Sequence, residues 1–190
     1  MLVVSLTLVY GSAAFYVLSP RASEPFIGFG VFSDTGTLSN YLPGNGLSVK
    51  ANQTVDWHLR LNNRMGTVQF VKLVFRLGNL TTESATEGSA AASVPQIGSL
   101  QLFVADQDTS NVNFTWRILA STPTSPILLK IQIGQNSPFW ASVGAVSGHD
   151  FRLMFELWTF DASSGLFQYG WKSGSSYVGT PLQIWFDFST

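Results

Sequence analysis

The side chains best suited to acid–base or nucleophilic chemistry in this sequence are its two histidines. His58 stands between Asp56 and Arg60 in an alternating stretch, and His149 precedes Asp150 in a glycine-rich turn. Because serine, histidine and aspartate are all present, the sequence does not exclude a Ser-His-Asp triad. It contains no Gly-x-Ser-x-Gly elbow that would present a serine nucleophile. The absence of cysteine excludes a thiolate nucleophile. We therefore predict that the protein is not an enzyme.

Metal chemistry has one candidate, the acidic run Asp106-Gln107-Asp108. Two carboxylates could contact calcium, yet no following glycine and bidentate glutamate complete a calcium loop. Zero cysteines and two histidines also leave too few ligands for a transition-metal site. We predict a solvated acidic turn, with no metal and no cofactor.

Exposed tryptophans are the next candidates for binding. Trp185 lies between Gln183 and Asp187, on the polar face of an alternating run, and Trp158 occupies a similar position upstream. Three interpretations are open: the indoles stack on sugar rings, they anchor a protein interface, or a loop covers them as a second layer of core.

Three asparagines begin the sequon Asn-x-Thr, namely Asn52, Asn79 and Asn113. The number is close to what composition gives by chance, so placement carries the argument. Asn52 falls in a turn, Asn79 opens a polar stretch, and Asn113 lies on the polar face of a strand. We expect all three to face solvent and to carry N-linked glycans, which would shield a surface poor in charge.

Composition limits the partners. Charged residues make up 11% of the 190 residues, against about 25% in an ordinary domain. The net charge is −1 and no basic cluster occurs, so we do not expect the protein to bind nucleic acid. The hydrophobic content of 45% is enough for a core, and with no disulfide available that core or assembly must supply stability.

Alternating apolar residues run through the body of the chain. Val55, Trp57, Leu59 and Leu61 set the pattern, while the stretches 67–77 and 151–160 are apolar on both faces and indicate central strands. About nine short strands separated by turn signals predict an all-β, immunoglobulin-like two-sheet β-sandwich over residues 21–190. The polar interval 78–99 is predicted to be a long loop.

The first 18 residues contain no charge and fit two periods. As a strand, they place one apolar face on Leu2, Val4, Leu6, Leu8 and Tyr10. As a helix, they reach roughly 27 Å, just short of a comfortable membrane span. A strand used in assembly, a membrane anchor or signal, and an ordinary strand of the domain all stay open. We treat residues 1–20 as a hydrophobic extension, either donor strand or anchor.

Short motifs at both ends of the body carry a resemblance. The junction Phe15 to Pro20, followed by Ser23-Glu24-Pro25-Phe26, resembles the point where an uncharacterised family of archaeal membrane proteins enters an extracellular immunoglobulin-like domain. The stretches 155–158 and 182–186 are similar to that domain's last two strands. In architecture the chain also resembles the subunits of archaeal thread-like surface filaments. A single hydrophobic segment precedes the domain here, and this favours the filament comparison.

The resemblance implies an extracellular, cell-surface location and a structural role. We expect a filament subunit whose partner is another copy of itself, because the filament family completes each sandwich with a neighbour's N-terminal strand. The alternative is a membrane-anchored ectodomain that binds glycans or protein partners. Contact with a membrane is expected only if residues 1–18 are an anchor.

Overall fold

The computed structural model describes residues 24–87, 89 and 93–189. Alternating sequences form most of the strands, as the period of two requires. The strands are β1 (Phe26–Ser33), β2 (Ser48–Lys50), β3 (Thr54–Arg64), β4 (Gln69–Gly78), β5 (Gln96–Val104), β6 (Thr109–Ser121), β7 (Leu129–Ile133), β8 (Phe139–Trp140), β9 (Phe151–Asp161), β10 (Leu166–Tyr169), β11 (Trp171–Ser173), β12 (Ser176–Val178) and β13 (Leu182–Ser189). Two single turns of 3-10 helix, Pro43–Asn45 and Val146–Gly148, interrupt them.

These strands form two main sheets. One has the order β1-β3-β6-β7-β8 and the other the order β2-β13-β9-β4-β5, with β10 added beside β9. Neighbouring strands are antiparallel, except that β2 runs parallel to the end of β13. The second sheet has the order A′-G-F-C-C′ of an immunoglobulin domain, and β1, β3 and β6 take the places of strands A, B and E in the first. β7 lies where strand D would lie but follows β6 in the chain instead of preceding it. The predicted immunoglobulin-like β-sandwich is confirmed.

Aromatic rings hold the two sheets together. Trp57 on β3 is fully buried, and its ring centroid lies 5.4 Å from that of Trp116 and 5.8 Å from that of Phe155 on the opposite sheet. The indole N–H of Trp57 donates to the carbonyl of Tyr41, so its polar atom is satisfied. The inward residues of β3 are the ones that the alternation predicts.

The outer face of β9 is also covered. Arg152, Met154 and Glu156 point away from the core yet are almost completely buried, Glu156 at 1% exposure. Residues 79–87 and 93–95 lie over them, and Arg76 joins the layers by pairing with Glu156 at 2.8 Å while donating to the carbonyl of Val94. A buried carboxylate requires such a partner.

Two sequence expectations about strands were wrong. The predicted loop 78–99 ends earlier, because β5 begins at Gln96. Gly98 faces inward against Ile133 and Phe75, and a glycine there breaks the apolar alternation. The short strands β8, β11 and β12 also went unrecognised, because runs of two or three residues carry no periodic signal.

None of the described residues forms a helix long and apolar enough to cross a membrane.

One end of the sandwich, which we call the leading end, is where the described chain begins. The pairing register brings the start of β1 to Arg64 and the start of β4 to Val104. The turn between β9 and β10, residues 162–165, lies at the same end, since Thr159 pairs with Val71.

Candidate functional site

Strand β6 is paired on one side along its first half and left open on the other. β3 pairs with it from Thr109 to Arg117, whereas β7 pairs with it only from Trp116 onward. The last bond on the β7 side runs from the N–H of Gly134 to the carbonyl of Thr115. Between Thr109 and Thr115 no described strand pairs with this side of β6.

Along this open edge, backbone N–H and C=O groups of β6 point away from β3, in the plane of the sheet. Successive residues of a strand direct their N–H and C=O groups to opposite sides. Because Thr115 uses its carbonyl on the β7 side, the backbone groups of Asn113 and Asn111 face that side as well. A row of unpaired N–H and C=O groups is a template for another strand.

A cavity of about 160 Å³ lies beneath the open edge, between β6 and the edge strand β5. Leu100 and Leu102 on β5 and Val112 on β6 face the core but stay half-buried. We call the open edge from Thr109 to Thr115, together with this cavity, the β6 slot. The residues that line the cavity are Phe75, Ser99, Leu100, Val112, Asn113, Phe114, Thr115, Ile133, Gly134, Gln135 and Asn136.

The chemistry of the β6 slot is that of an incomplete core. None of the described residues that line its cavity is ionisable, so it offers apolar contact below and backbone hydrogen bonds at the side. A strand laid along it would face Leu100 and Val112 with alternate side chains. The slot therefore suits an extended, uncharged, alternating peptide. The proposed donor side chains Leu2, Val4, Leu6, Leu8 and Tyr10 lie outside the described residues.

A larger cleft, of about 420 Å³, lies between the β1–β2 connection and the start of β3. It is polar, and Asp34 and Asp56 are among the residues that line it. Among the described residues, no three His, Cys, Asp or Glu side chains lie close enough together to hold a metal ion.

The sequons differ in accessibility. Asn52 is exposed in a turn with a φ of +62°, and Asn113 is exposed on the outer face of β6, 3.0 Å from the imidazole Nδ1 of His58. Asn79 is half-buried instead. Its amide nitrogen donates to the carbonyl of Gly144 at 2.7 Å, and its amide oxygen accepts from the N–H of Thr81. The expectation that all three face solvent is therefore wrong for Asn79, because a distant loop supplies its partner.

The two tryptophans also separate. Trp158 is half-buried, donates to Glu156 at 3.1 Å and meets Tyr169 edge-on, so intrachain contacts occupy its indole. Burial, with the charge of Glu156 second, raises the pKa of Tyr169 to about 12. Trp185 is 38% exposed, and the guanidinium of Arg152 lies 4.9 Å from its ring. Burial lowers the pKa of Arg152.

The histidines lie in different surroundings. The Nε2 of His58 is 3.2 Å from the carbonyl of Asp34, while His149 pairs with Asp187 at 3.1 Å on the surface. In the acidic turn, Asp106 accepts from the N–H of Gly66 and Asp108 from that of Thr109. These carboxylates bond to the backbone of the leading end.

Sequence reasoning missed the β6 slot and an exposed group of phenylalanines on the outer face of the second sheet. The slot has no local signal, because it depends on where β7 stops. The phenylalanines did have one, since the stretches 67–77 and 151–160 are apolar on both faces.

The likeness of this chain to solved structures is loose. No protein-family profile and no curated protein sequence matches the chain. The CARDB domain of a Pyrococcus furiosus protein, solved in complex with di-metal ions, is 5% identical, with a TM-score of 0.39 over 90% of this chain and 97% of that one. The sporulation control protein Spo0M of Bacillus subtilis is 8% identical, with a TM-score of 0.30 over 84% and 90%. The assignment of the fold rests on the strand order described above.

Proposed function

We propose that this chain is a non-catalytic structural subunit of an extracellular filament on an archaeal cell surface. Each copy donates its N-terminal stretch to the β6 slot of a neighbouring copy. The observation that supports the proposal is the β6 slot itself: an unpaired strand edge above a partly uncovered apolar cavity. The alternating stretch from Leu2 to Tyr10 has the composition that such a slot requires.

Length and energy are consistent with this match. The open edge from Thr109 to Thr115 spans about 23 Å, so three or four alternate donor side chains would face the core. One or two of them would lie over the cavity, whose lining on β6 runs from Val112 to Thr115. Burying a large apolar side chain contributes about 1.5–3 kcal/mol, so the set contributes roughly 5–12 kcal/mol before the costs of ordering. Backbone pairing with Asn111 and Asn113 adds affinity, and the alternation sets the register.

Distance does not choose between the chain's own slot and that of a neighbour. The chain's own slot lies beyond β3 and β6, roughly 15 Å from β1, and residues 11–23 are long enough to reach it. The cysteine variants described next distinguish the two cases. Donation to the next copy in one direction does not close on itself and produces a fibre.

The test uses the absence of cysteine from the natural chain. One preparation carries Leu6→Cys and another carries Val112→Cys, and the two are mixed under mild oxidation. Cross-strand neighbours have Cβ atoms within reach of a disulfide, so we expect cross-linked pairs on a denaturing gel. A chain with both substitutions should produce a ladder of higher species. The matched control is Gln101→Cys, next to the slot but exposed on the outer face of β5.

Two results would contradict the proposal. A monomer with an internal disulfide in the double variant would show that the chain fills its own slot. No cross-link at all, with the full chain recovered in the detergent phase, would favour the anchored ectodomain that binds glycans or protein partners. Deleting residues 1–10 should abolish polymers, and adding that peptide should raise the Tm of the truncated protein.

A further inference from the structure

Four phenylalanines form an exposed cluster on the outer face of the second sheet, close to the leading end. Phe70 on β4 stacks on Phe103 of β5 at 4.5 Å, and lies 5.1 Å from Phe167 of β10 and 5.9 Å from Phe160 of β9. Phe103 is 69% exposed and Phe160 39%. With Leu166, 62% exposed at the start of β10, these residues are called the phenylalanine cluster.

The cluster continues a face that is covered elsewhere. Nearer the opposite end, the same outer face is buried under residues 79–87 and 93–95, where Met154 and Glu156 are almost inaccessible. That cover stops short of Phe70 and Phe160, and nothing among the described residues replaces it. A contiguous apolar patch rimmed by polar residues marks an interaction site more often than chance exposure does.

The chemistry of the cluster selects an apolar protein surface as its partner. Phenylalanine has no hydrogen-bonding atom, whereas a sugar needs polar partners beside the ring it stacks on. The charges beside the cluster have both signs, since Lys72 lies two residues from Phe70 on the outer face of β4 and Asp161 follows Phe160 on β9. One lysine falls short of the group of basic residues that binds an anionic lipid surface.

Position selects a second copy of this chain. The described chain begins at the leading end, so a donated N-terminal stretch leaves the subunit from the edge strand of the first sheet, at the same end as the cluster. Residues 11–23 connect the donor stretch to the described body and reach at most about 47 Å. The slot of the receiving copy must therefore lie within that distance of the leading end, where the cluster is.

The opposite end of the domain carries exposed apolar side chains that could receive the cluster. Leu47, Leu80 and Val146 are each at least 69% exposed on loops there. The Asn79 side chain donates to the carbonyl of Gly144 and so joins the loops of Leu80 and Val146, while the carbonyl of Leu47 accepts from the N–H of Asp187 on β13. The last open residue of the β6 slot, Thr115, is about 20 Å from this end, within reach of the connecting residues.

From these positions we propose that the phenylalanine cluster is a second contact between adjacent copies, packing against the opposite-end loops of the copy that receives the strand. The inference rests on the proposed function. The contact joins two different surfaces, so it propagates in one direction, as strand donation does. It would fix the orientation of adjacent domains relative to one another, which strand donation by itself does not determine.

The experiment removes the cluster without touching the slot. Phe103→Gln and Phe160→Gln are combined in the full chain, and a second variant combines Leu47→Gln and Val146→Gln at the opposite end. Leu38→Gln is the control, since Leu38 is also 69% exposed but lies in the β1–β2 connection. We expect each double variant to raise the threshold concentration for polymers about tenfold or more, and the control to leave it unchanged.

The disulfide cross-link between the Leu6→Cys and Val112→Cys chains is measured in the wild-type sequence and in each double variant. It distinguishes a failure of strand donation from a failure of the second contact. If the wild-type background gives no such cross-link, the proposed function fails. If it does, and the polymer threshold is unchanged in either double variant, the second contact is wrong. Binding of the wild-type chain to vesicles of anionic lipid, lost in the phenylalanine variant, would identify a membrane as the partner and overturn the inference.

Discussion

Asn63 is the side chain whose removal tests the packing of the leading end most directly. It is fully buried, and its amide nitrogen donates to the carbonyls of Thr67 at 2.8 Å and Val104 at 2.9 Å. Its amide oxygen accepts from the N–H of Met65 at 3.0 Å. One residue thereby fixes the β3–β4 turn and joins the first sheet to the end of β5, which borders the β6 slot.

Replacing Asn63 with alanine removes all three bonds and leaves their backbone partners without the side chain. Each bond contributes about 1 kcal/mol net, and a buried carbonyl without a partner costs more. We expect a loss of about 3 kcal/mol in the free energy of unfolding, which corresponds to a fall in Tm of roughly 6–12 °C for a domain of this size. Asn63→Asp, which keeps an acceptor for Met65 but opposes two carbonyls, should be at least as destabilising.

Thermal and urea unfolding measure the effect, with Asn62→Ala as the matched control. Asn62 donates one bond, to the hydroxyl of Thr109 at 2.8 Å, and its amide oxygen is buried without a partner among the described atoms. Its removal should lower the free energy of unfolding by no more than about 1 kcal/mol. Equal losses for Asn63→Ala and Asn62→Ala would refute the reasoning, because burial and bonding would then not decide the outcome. A truncated chain lacking residues 1–10 should show the same difference.

Two further predictions concern the surface. Glycopeptide analysis of native material should find glycans on Asn52 and Asn113 and lower occupancy on Asn79, whose amide nitrogen is engaged with Gly144; unmodified Asn52 and Asn113 would contradict the surface assignment. The hydroxyl and N–H of Ser163 donate to the Asp161 carboxylate and lower its pKa from 3.8 to about 2. The ionised carboxylate therefore stabilises the fold at pH values above 3.8, and this stabilisation is lost as the pH falls from 3.8 toward 2. The difference in Tm between wild type and Asp161→Asn should therefore be constant from about pH 5 to 7 and shrink toward pH 2; a difference that grows on acidification would show that the carboxylate is not favoured in the fold.

The period of two in the sequence was enough to predict the sandwich and much of its core. Val55, Trp57, Leu59 and Leu61 face inward because a strand buried on one face must alternate. The stretches 67–77 and 151–160 became β4 and β9, and each lies between two other strands, as their two apolar faces predict. Such signals are local, so neighbouring residues carry them.

Tertiary structure decided which polar residues are buried and which edges are open. Glu156 and Arg152 look like surface residues in the sequence, but a cover and partners from distant parts of the chain bury them. Asn79 looks like an exposed sequon, yet Gly144 supplies its partner.

The candidate site depends on tertiary structure even more. The β6 slot exists because β7 stops opposite Trp116, and the phenylalanine cluster exists because four strands bring their outward rings together. Composition and alternation determined by themselves that this chain builds a charge-poor β-sandwich with an apolar N-terminal stretch. Where that sandwich is incomplete follows from contacts between residues far apart in sequence, and such pairings leave no periodic trace.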